Sequence, residues 1–202
     1  MLSGVIIAWN EEKDLPRAIT SLQSVCDEVV VVIDRATSDK SAKIAEDLGC
    51  RIFEHEHTGF IEPIREFAIS KAKGEWILLL DADEEVSAEL AAEIKEVIKK
   101  SVDYCRISRK NIIFGKWIKS DHWWPDYVVR LFKKDHVKWD SKIHSQPLTS
   151  GRGLDLVSPI IHYNYASVSE YLEHLNRYTD KQLTGVKFNW TCLIEKPTGE
   201  FL

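Results

Sequence analysis

Four short runs rich in apolar residues organise the first half of this chain: Leu2 to Ala8, Val29 to Ile33, Cys50 to Phe53 and Trp76 to Leu80. None keeps the strict apolar–polar alternation of a half-exposed strand. Each therefore reads as a strand covered on both faces. Helical patterns lie between them. Leu15, Ile19, Leu22 and Val25 recur at helical spacing. Asn10 and the acids after it suit that helix's start, and Pro16 suits its first turn. Thr37, Ser38 and Asp39 offer N-caps for a second helix running to Leu48, with Gly49 as its stop. Pro63 to Lys73 reads as a third helix ended by Gly74. Strand and helix alternating four times predict an α/β fold: an open, mostly parallel central sheet with helices on both faces.

Beyond this the pattern changes. Ser87 caps a helix whose apolar face is Leu90, Ile94, Val97 and Ile98. After Ser101, the segments Asp103 to Arg109, Asn111 to Ile118, Tyr127 to Lys133 and Val157 to Tyr163 read as strands without long helices between them. They add mixed strands to the same sheet. Ser167 and Glu170 form a capping box for a last helix, with Tyr171, Leu175 and Tyr178 along one face. A length of 202 residues suits one domain, residues 1–202.

Several function classes drop out on composition. A net charge of -5 leaves too little positive charge for a general nucleic-acid binder. The longest apolar runs are about five residues, against roughly 20 for a membrane-spanning helix. No basic segment followed by an apolar stretch opens the chain, so no signal peptide is visible. Cys26, Cys50, Cys105 and Cys192 stand far apart with no CxxC pair. They read as free thiols in a reducing cytoplasm, not as a zinc site or disulfide framework.

In open parallel sheets, ligands bind beyond the carboxyl ends of the strands. Chemically loaded stretches sit at those four ends: WNEE, DRATSD, EHEHTGF and DADEE. Asp81 and Asp83 are two carboxylates placed to share a target just past a buried strand. Two carboxylates with substrate phosphates commonly hold Mg²⁺, and Mn²⁺ suits the same oxygens. A solvated helix start would account for Glu84 and Glu85 but not for Asp81 directly against the strand. Asp34 ends the second run, where an acid can bond a ribose or a base, although a turn or cap role is equally open. No GxGxxG and no GxxxxGK[ST] follows a strand, which removes a nicotinamide cofactor and a P-loop nucleotidase.

Taken in order, IIAWNEEKDLPRAITSL, VVVVIDRATSDKS and GFIEPIREFAISKAKGEWILLLDADEEVS resemble the family 2 inverting glycosyltransferases of the GT-A (Rossmann-like) fold. RKNIIFGKWIK, WWPDYVVRLFKK, KIHSQP and IIHYNYASVSEYLEHLNRYT resemble the branch containing the bacterial lipopolysaccharide-core glucosyltransferases. The resemblance implies a nucleotide-sugar-binding half over residues 1–101 and an acceptor-binding half over 102–202. Ala8, Trp9, Asn10 and Glu11 would cradle the nucleotide, with Glu11 near the ribose. Asp34 would read the base, and Arg65 would lie near the diphosphate. Asp81, Ala82 and Asp83 would form the DxD motif, with Asp83 directly on Mn²⁺ or Mg²⁺. Asp126 would be the catalytic acid–base residue. The implied reaction moves a sugar from a nucleotide diphosphate sugar, expected to be UDP-linked, to a hydroxyl of a glycan or glycolipid precursor such as a lipopolysaccharide core.

Two departures stand out. Relatives commonly carry a small residue where this chain has Arg35, which bears on base preference. Members of the branch also commonly run on past PTGEFL: either this is a short member, or a membrane-proximal tail lies beyond, which would give peripheral contact with the inner membrane face. His144, in polar KIHSQ, is a further candidate metal ligand, whereas His162 after an apolar run reads as a core histidine. Trp117, Trp123 and Trp124 are candidates for an aromatic acceptor platform, with core packing the plainer account of Trp117. Two other functions remain open. A nucleotidyltransferase would need a Gly-rich basic loop after the first strand, and a non-catalytic glycan-binding domain would need neither Asp83 nor Asp126. Oligomeric state is not written in the sequence.

Overall fold

The computed structural model describes residues 1–59, 62–120, 123–139, 147–169, 171, 172 and 176. The chain divides into two compact units, Met1–Asn164 and Tyr165–Leu202. The second unit's described part includes helical residues 168–169 and 171–172, with Tyr165 and Tyr171 edge-to-face at 5.1 Å. Ser167 sits before that helix and its carbonyl accepts from Tyr171 N at 3.1 Å. Glu170, Leu175 and Tyr178, named for the capping box and helix face, lie outside the described residues.

In chain order the first unit begins β1 (Leu2–Ala8), α1 (Leu15–Gln23), β2 (Glu28–Asp34), α2 (Ser41–Asp47), β3 (Arg51–His55), α3 (Glu62–Lys71) and β4 (Trp76–Asp81). It continues with β5 (Glu84–Val86), α4 (Ala88–Val97), β6 (Tyr104–Ile113), β7 (Lys116–Trp117) and β8 (Asp126–Lys133). Short β9 (Val137–Lys138), β10 (Leu148–Thr149) and β11 (Gly153–Asp155) precede β12 (Ile160–Tyr165). The main sheet runs β3-β2-β1-β4-β8-β6-β12-β5. β1 to β4 are mutually parallel, and β8 joins β4 antiparallel.

Both faces of the parallel part are covered, as the unbroken apolar runs require. Leu2, Ile6, Val29, Val31, Ile33, Leu78 and Leu80 pack with α1, α2 and α4 in one core. Val5, Ile7, Val30, Val32, Ile77 and Leu79 pack with Ile64, Ala68 and Ile69 of α3 in the other. Strand pleating divides one sequence between two layers. Each fully buried Leu or Ile contributes about 1.5–3 kcal/mol by leaving water. At Gly4 an added Cβ would stand 3.0 Å from Leu22 Cδ1, so the missing side chain sets how closely α1 approaches β1.

Several boundaries differ from the sequence reading. Asn10 and the acids after it form a turn, and α1 starts only at Leu15 with Asp14 as N-cap. The third helix is Glu62–Lys71, not 63–73, and the third strand is Arg51–His55. The break expected at Lys110 is absent. β6 runs through to Ile113 and turns at Phe114 and Gly115, with φ of 51° and 75°. Two left-handed residues match the twist of a two-residue hairpin, which closes Ile113 onto Lys116. Glu84 and Glu85 suited a solvated helix start. Glu84–Val86 is instead a strand, and Glu84 is fully buried.

This topology fixes where a site can form. β2 and β3 lie on one side of β1, and β4 on the other. The strand order reverses there while the strands stay parallel, opening a crevice between the carboxyl ends of β1 and β4. Antiparallel β8 brings its first residue, Asp126, to that same edge. β12 pairs antiparallel with β5, His162 opposite Glu84.

Candidate active site

Ala8 ends β1 and is buried. The chain turns sharply after it because Asn10 takes a left-handed φ of 57°. Asn tolerates that region better than most residues. The Asn10 side chain pins the loop after β1 to the loop after β2, its Oδ1 accepting from Ser38 N at 2.8 Å and Asp39 N at 3.3 Å. Glu11 N donates to Ser41 Oγ at 2.8 Å, and Glu12 N to Asp39 Oδ2 at 2.9 Å. Asp39 Oδ1 in turn accepts from Ser41 N at 2.9 Å, one step from the cap role expected for it. The two loops form one rigid floor for the crevice.

Asp34 lies at the end of β2 and is 4% exposed. Its Oδ1 accepts from Ala36 N at 2.8 Å, and the His57 Nδ1 stands 3.0 Å from Oδ2. The His57 ring meets Trp9 at a centroid distance of 4.9 Å. Trp9 and His57 thus set aromatic surface beside the Asp34 carboxylate. Arg35 does not point a free charge there. It pairs with Glu54 and with Glu56 on the outer side of β3.

Glu11 is half-buried near several acids. Burial, then the charges of Asp83, Asp14, Asp39 and Asp81, push its carboxyl up to about 8. A bound cation or a ribose hydroxyl would relieve that crowding.

Asp81 and Asp83 part company after β4. Arg130 donates through Nη1 to Asp81 Oδ1 at 3.2 Å and through Nη2 to Oδ2. Arg65 of α3 stands 3.9 Å from the same carboxylate. Burial would raise the Asp81 carboxyl, but the two guanidiniums hold it well below the usual range. Arg130 also donates to Glu84 Oε1 at 2.8 Å, while Glu84 Oε2 accepts from Asp81 N at 3.0 Å. Arg130 reaches inward because it is the extra residue of a β-bulge: Cys105 pairs with Leu131 but Arg106 with Val129. Bulges commonly re-aim one side chain in this way. Ala82, between the two acids, is buried.

Asp83 faces the other way, its Oδ2 3.2 Å from His162 Nε2. Tyr163 N donates to Asp83 O at 3.0 Å, fixing β12 against the loop. Burial alone would lower the His162 imidazole; its hydrogen bond to Asp83 and that carboxylate's charge turn the shift upward. His162 is buried with both ring nitrogens partnered, as a core histidine would be, and the strand that carries it also brings the ring to the acidic loop. Carboxylate oxygen and imidazole nitrogen together fit a divalent cation of intermediate hardness. Among the described residues no three His, Cys, Asp or Glu side chains form a complete cage. A cation here would take its remaining ligands from substrate phosphates and water. His144 lies outside the described residues.

Asp126 opens β8 opposite Arg109 of β6. Arg109 Nη2 stands 2.6 Å from Asp126 Oδ2, and Asn111 Nδ2 3.3 Å from the same oxygen. Arg109 Nε also donates to Oδ2 at 2.8 Å, and among the described residues Oδ1 takes no hydrogen bond. Arg130, four residues on, pairs with Asp81 and Glu84 and not with Asp126. Trp117 and Trp124 pack edge-to-face at 5.0 Å, with Lys110 and Lys119 over the Trp117 ring. Trp123 is more open, at 36% exposure. The Trp124–Pro125 peptide is cis. Arg130, Arg109, Asn111, His57 and His162 are the residues sequence reasoning missed or undervalued. Their only local mark was a place inside quoted motifs.

Residues 3–151 match the family model described as "Glycosyl transferase family 2". The chain belongs to that family. Its relatives include an uncharacterised glycosyltransferase of Rickettsia bellii, 29% identical over 195 residues, covering 90% of this chain and 66% of that protein. The chain thus spans just under two thirds of that relative's length. A lipopolysaccharide core biosynthesis glycosyltransferase, LpsC of Rhizobium meliloti, is 26% identical over 215 residues, covering 100% of this chain and 79% of that protein. Among solved structures, S. aureus TarS 1-349 in complex with UDP has a TM-score of 0.59 at 16% identity, covering 93% of this chain and 67% of that one. The mannosyltransferase PcManGT of Pyrobaculum calidifontis, in complex with GDP-Man and Mn²⁺, gives 0.58 at 13%, covering 93% and 65%. The fold is the GT-A α/β fold of this family. No helix among the described residues is long and apolar enough to cross a membrane.

Proposed function

We propose that this family 2 protein is a metal-dependent inverting glycosyltransferase. It moves a hexose from a nucleotide diphosphate sugar, UDP-linked, to a hydroxyl of a glycan or glycolipid precursor such as a lipopolysaccharide core. The observation that carries this is the meeting of three elements at one sheet edge: the Trp9–Glu11 floor, the Asp83–His162 pair and Asp126.

Trp9 and Asp34 hold the base, and Glu11 the ribose. Asp83 and His162 would hold the divalent cation, with Asp81 kept anionic beside them by Arg130 and Arg65. Between the two ions considered, an imidazole ligand favours Mn²⁺, because Mg²⁺ keeps to oxygen. Such a cation supplies Lewis-acid neutralisation of charge on the departing diphosphate. Arg65 adds a fixed positive charge on the same side. Asp126 Oδ1 accepts the proton of the acceptor hydroxyl as it attacks the anomeric carbon from the face opposite the diphosphate. One displacement inverts that carbon, and no covalent enzyme intermediate forms. Fixed loops and prearranged charges supply most of the rate by positioning.

The test is incubation with a panel of UDP-, GDP-, CDP- and TDP-sugars in Mn²⁺, following release of the nucleoside diphosphate. Slow, metal-dependent hydrolysis of one class supports transfer. Pyrophosphate-dependent consumption would point to a nucleotidyltransferase. Binding without turnover, with or without added glycan acceptors, would leave a glycan-binding domain.

A further inference from the structure

Asn111 is 1% exposed on β6, between the two ends of the site. Its Oδ1 lies 2.6 Å from His162 Nδ1. Its Nδ2 donates to the Trp123 carbonyl at 3.1 Å and to Asp126 Oδ2 at 3.3 Å. The amide can sit only one way round. Turned over, its oxygen would face a carbonyl and a carboxylate, two acceptors with no proton between them. With the oxygen towards His162, that contact is a hydrogen bond only when Nδ1 carries the proton. Without a cation, Nε2 also faces an acceptor, Asp83 Oδ2 at 3.2 Å, so both nitrogens can carry protons; a cation between Nε2 and Asp83 would take the Nε2 lone pair and leave the single proton on Nδ1.

We propose that Asn111 is a positioning residue that sets both halves of the site at once. Its carbonyl locks His162 in the Nδ1–H tautomer and so aims Nε2 at the cation position. Its NH₂ holds Asp126 Oδ2 and leaves Oδ1 towards the acceptor. This rests on the reading of Asp83 and His162 as cation ligands and of Asp126 as the base. Outer hydrogen bonds of this kind fix ring orientation at metal centres, and losing them typically costs about 10–100-fold in affinity or activity. Burying an amide on a strand is costly unless every group is used, and here oxygen and nitrogen both are.

Two substitutions separate the roles. Asn111→Leu removes both bonds. Asn111→Asp keeps an oxygen for His162 Nδ1–H but sets a second carboxylate against Asp126. The first readout needs no cation: long-range ¹H–¹⁵N spectra of the metal-free protein, which ask whether His162 Nδ1 keeps its proton. Wild type and Asn111→Asp should show Nδ1–H, and Asn111→Leu a mixture or the Nε2–H form. Mn²⁺ binding in the presence of UDP, read by electron paramagnetic resonance, should weaken about 10–100-fold in Asn111→Leu and stay within a few fold in Asn111→Asp. Asn111→Asp should lower kcat with donor KM little changed. Circular dichroism melts confirm that each variant is folded, and Asn111→Ser stands in if the leucine variant is not. An unchanged tautomer and unchanged Mn²⁺ affinity in the folded leucine or serine variant overturn the proposal. Equal Mn²⁺ affinity in wild type and His162→Ala overturns instead the assignment of His162 to the cation, and the tautomer spectra then decide whether Asn111 holds the ring.

Discussion

Arg130 and Glu84 form an ion pair sealed from water, Nη2 to Oε1 2.8 Å, with Glu84 at 0% exposure and Arg130 at 3%. Asp81 shares the same guanidinium. One buried cation thus faces two carboxylates at the end of β4. Burial raises the Glu84 carboxyl, an effect that Arg130 opposes and the neighbouring Asp81 charge reinforces. Arg130→Met would leave both acids without their partner. Breaking one side of such a pair typically costs about 3–5 kcal/mol. Urea denaturation should show a loss of that size, and a loss below 1 kcal/mol would mean that Asp81 and Glu84 find other partners.

Metal removal should act through Asp83. Calorimetry with UDP and Mn²⁺ should give binding that EDTA abolishes or weakens severely and that Asp83→Ala weakens to the same degree. Affinity unchanged by both would leave DADEE as a structural turn.

Asp126→Asn keeps the shape of the side chain and the bond from Asn111, and removes basicity. General-base catalysis contributes about 10²–10⁴-fold, so transfer should slow by that factor while donor binding stays near wild type. Its ion pair with Arg109 has side chains 25% and 24% exposed, which limits its structural share. Turnover and melting temperature on one sample decide. Near-normal turnover removes Asp126 from the mechanism.

Asp34→Asn should alter the choice among UDP, GDP, CDP and TDP, because it replaces an acceptor with a partial donor beside the base while keeping the turn bond to Ala36 N. Arg35→Ala should not, since Arg35 is spent on Glu54 and Glu56. Competition binding with the four diphosphates checks both. A change of preference in Arg35→Ala would show that the arginine leaves its acids to meet the nucleotide.

Glu11 gives a pH test in metal-free protein. Its folded value is about 8 against 4.5 in the ordinary state, so between these pH values the folded chain holds more protons than the unfolded. Stability from this group therefore falls as pH rises from about 4.5 to about 8. Glu11→Gln removes that slope. Its melting temperature should gain on wild type across the window and show no such gain below it. A constant offset at every pH would mean that folding leaves the Glu11 carboxyl unshifted.

The strand–helix alternation was legible because fully covered strands must be apolar on both faces, and Val29–Ile33 and Trp76–Leu80 are. The strand-end acids Asp34, Asp81 and Asp83 were legible for the converse reason: a carboxylate against a buried strand calls for a partner. Asp126 was picked out only by resemblance. Glu84 was misjudged because three consecutive acids look solvated, and nothing local says that Arg130, 46 residues away, will enclose one of them.

The sequence by itself determined the α/β class, the covered parallel strands and the edge at which chemistry gathers, since these follow from local hydrophobic pattern and from the polar residues that end it. Only the tertiary structure decided which partner each acid takes. The bulge at Arg130, the antiparallel entry of β8 and the pairing of β12 with β5 are long-range choices. They set Asp81 against Arg130, Asp83 against His162 and Asp126 against Arg109 and Asn111. Charge interactions fall off over a few ångströms in a partly buried crevice, and a linear sequence carries no distances between residues that, like these partners, stand 15 to 79 positions apart.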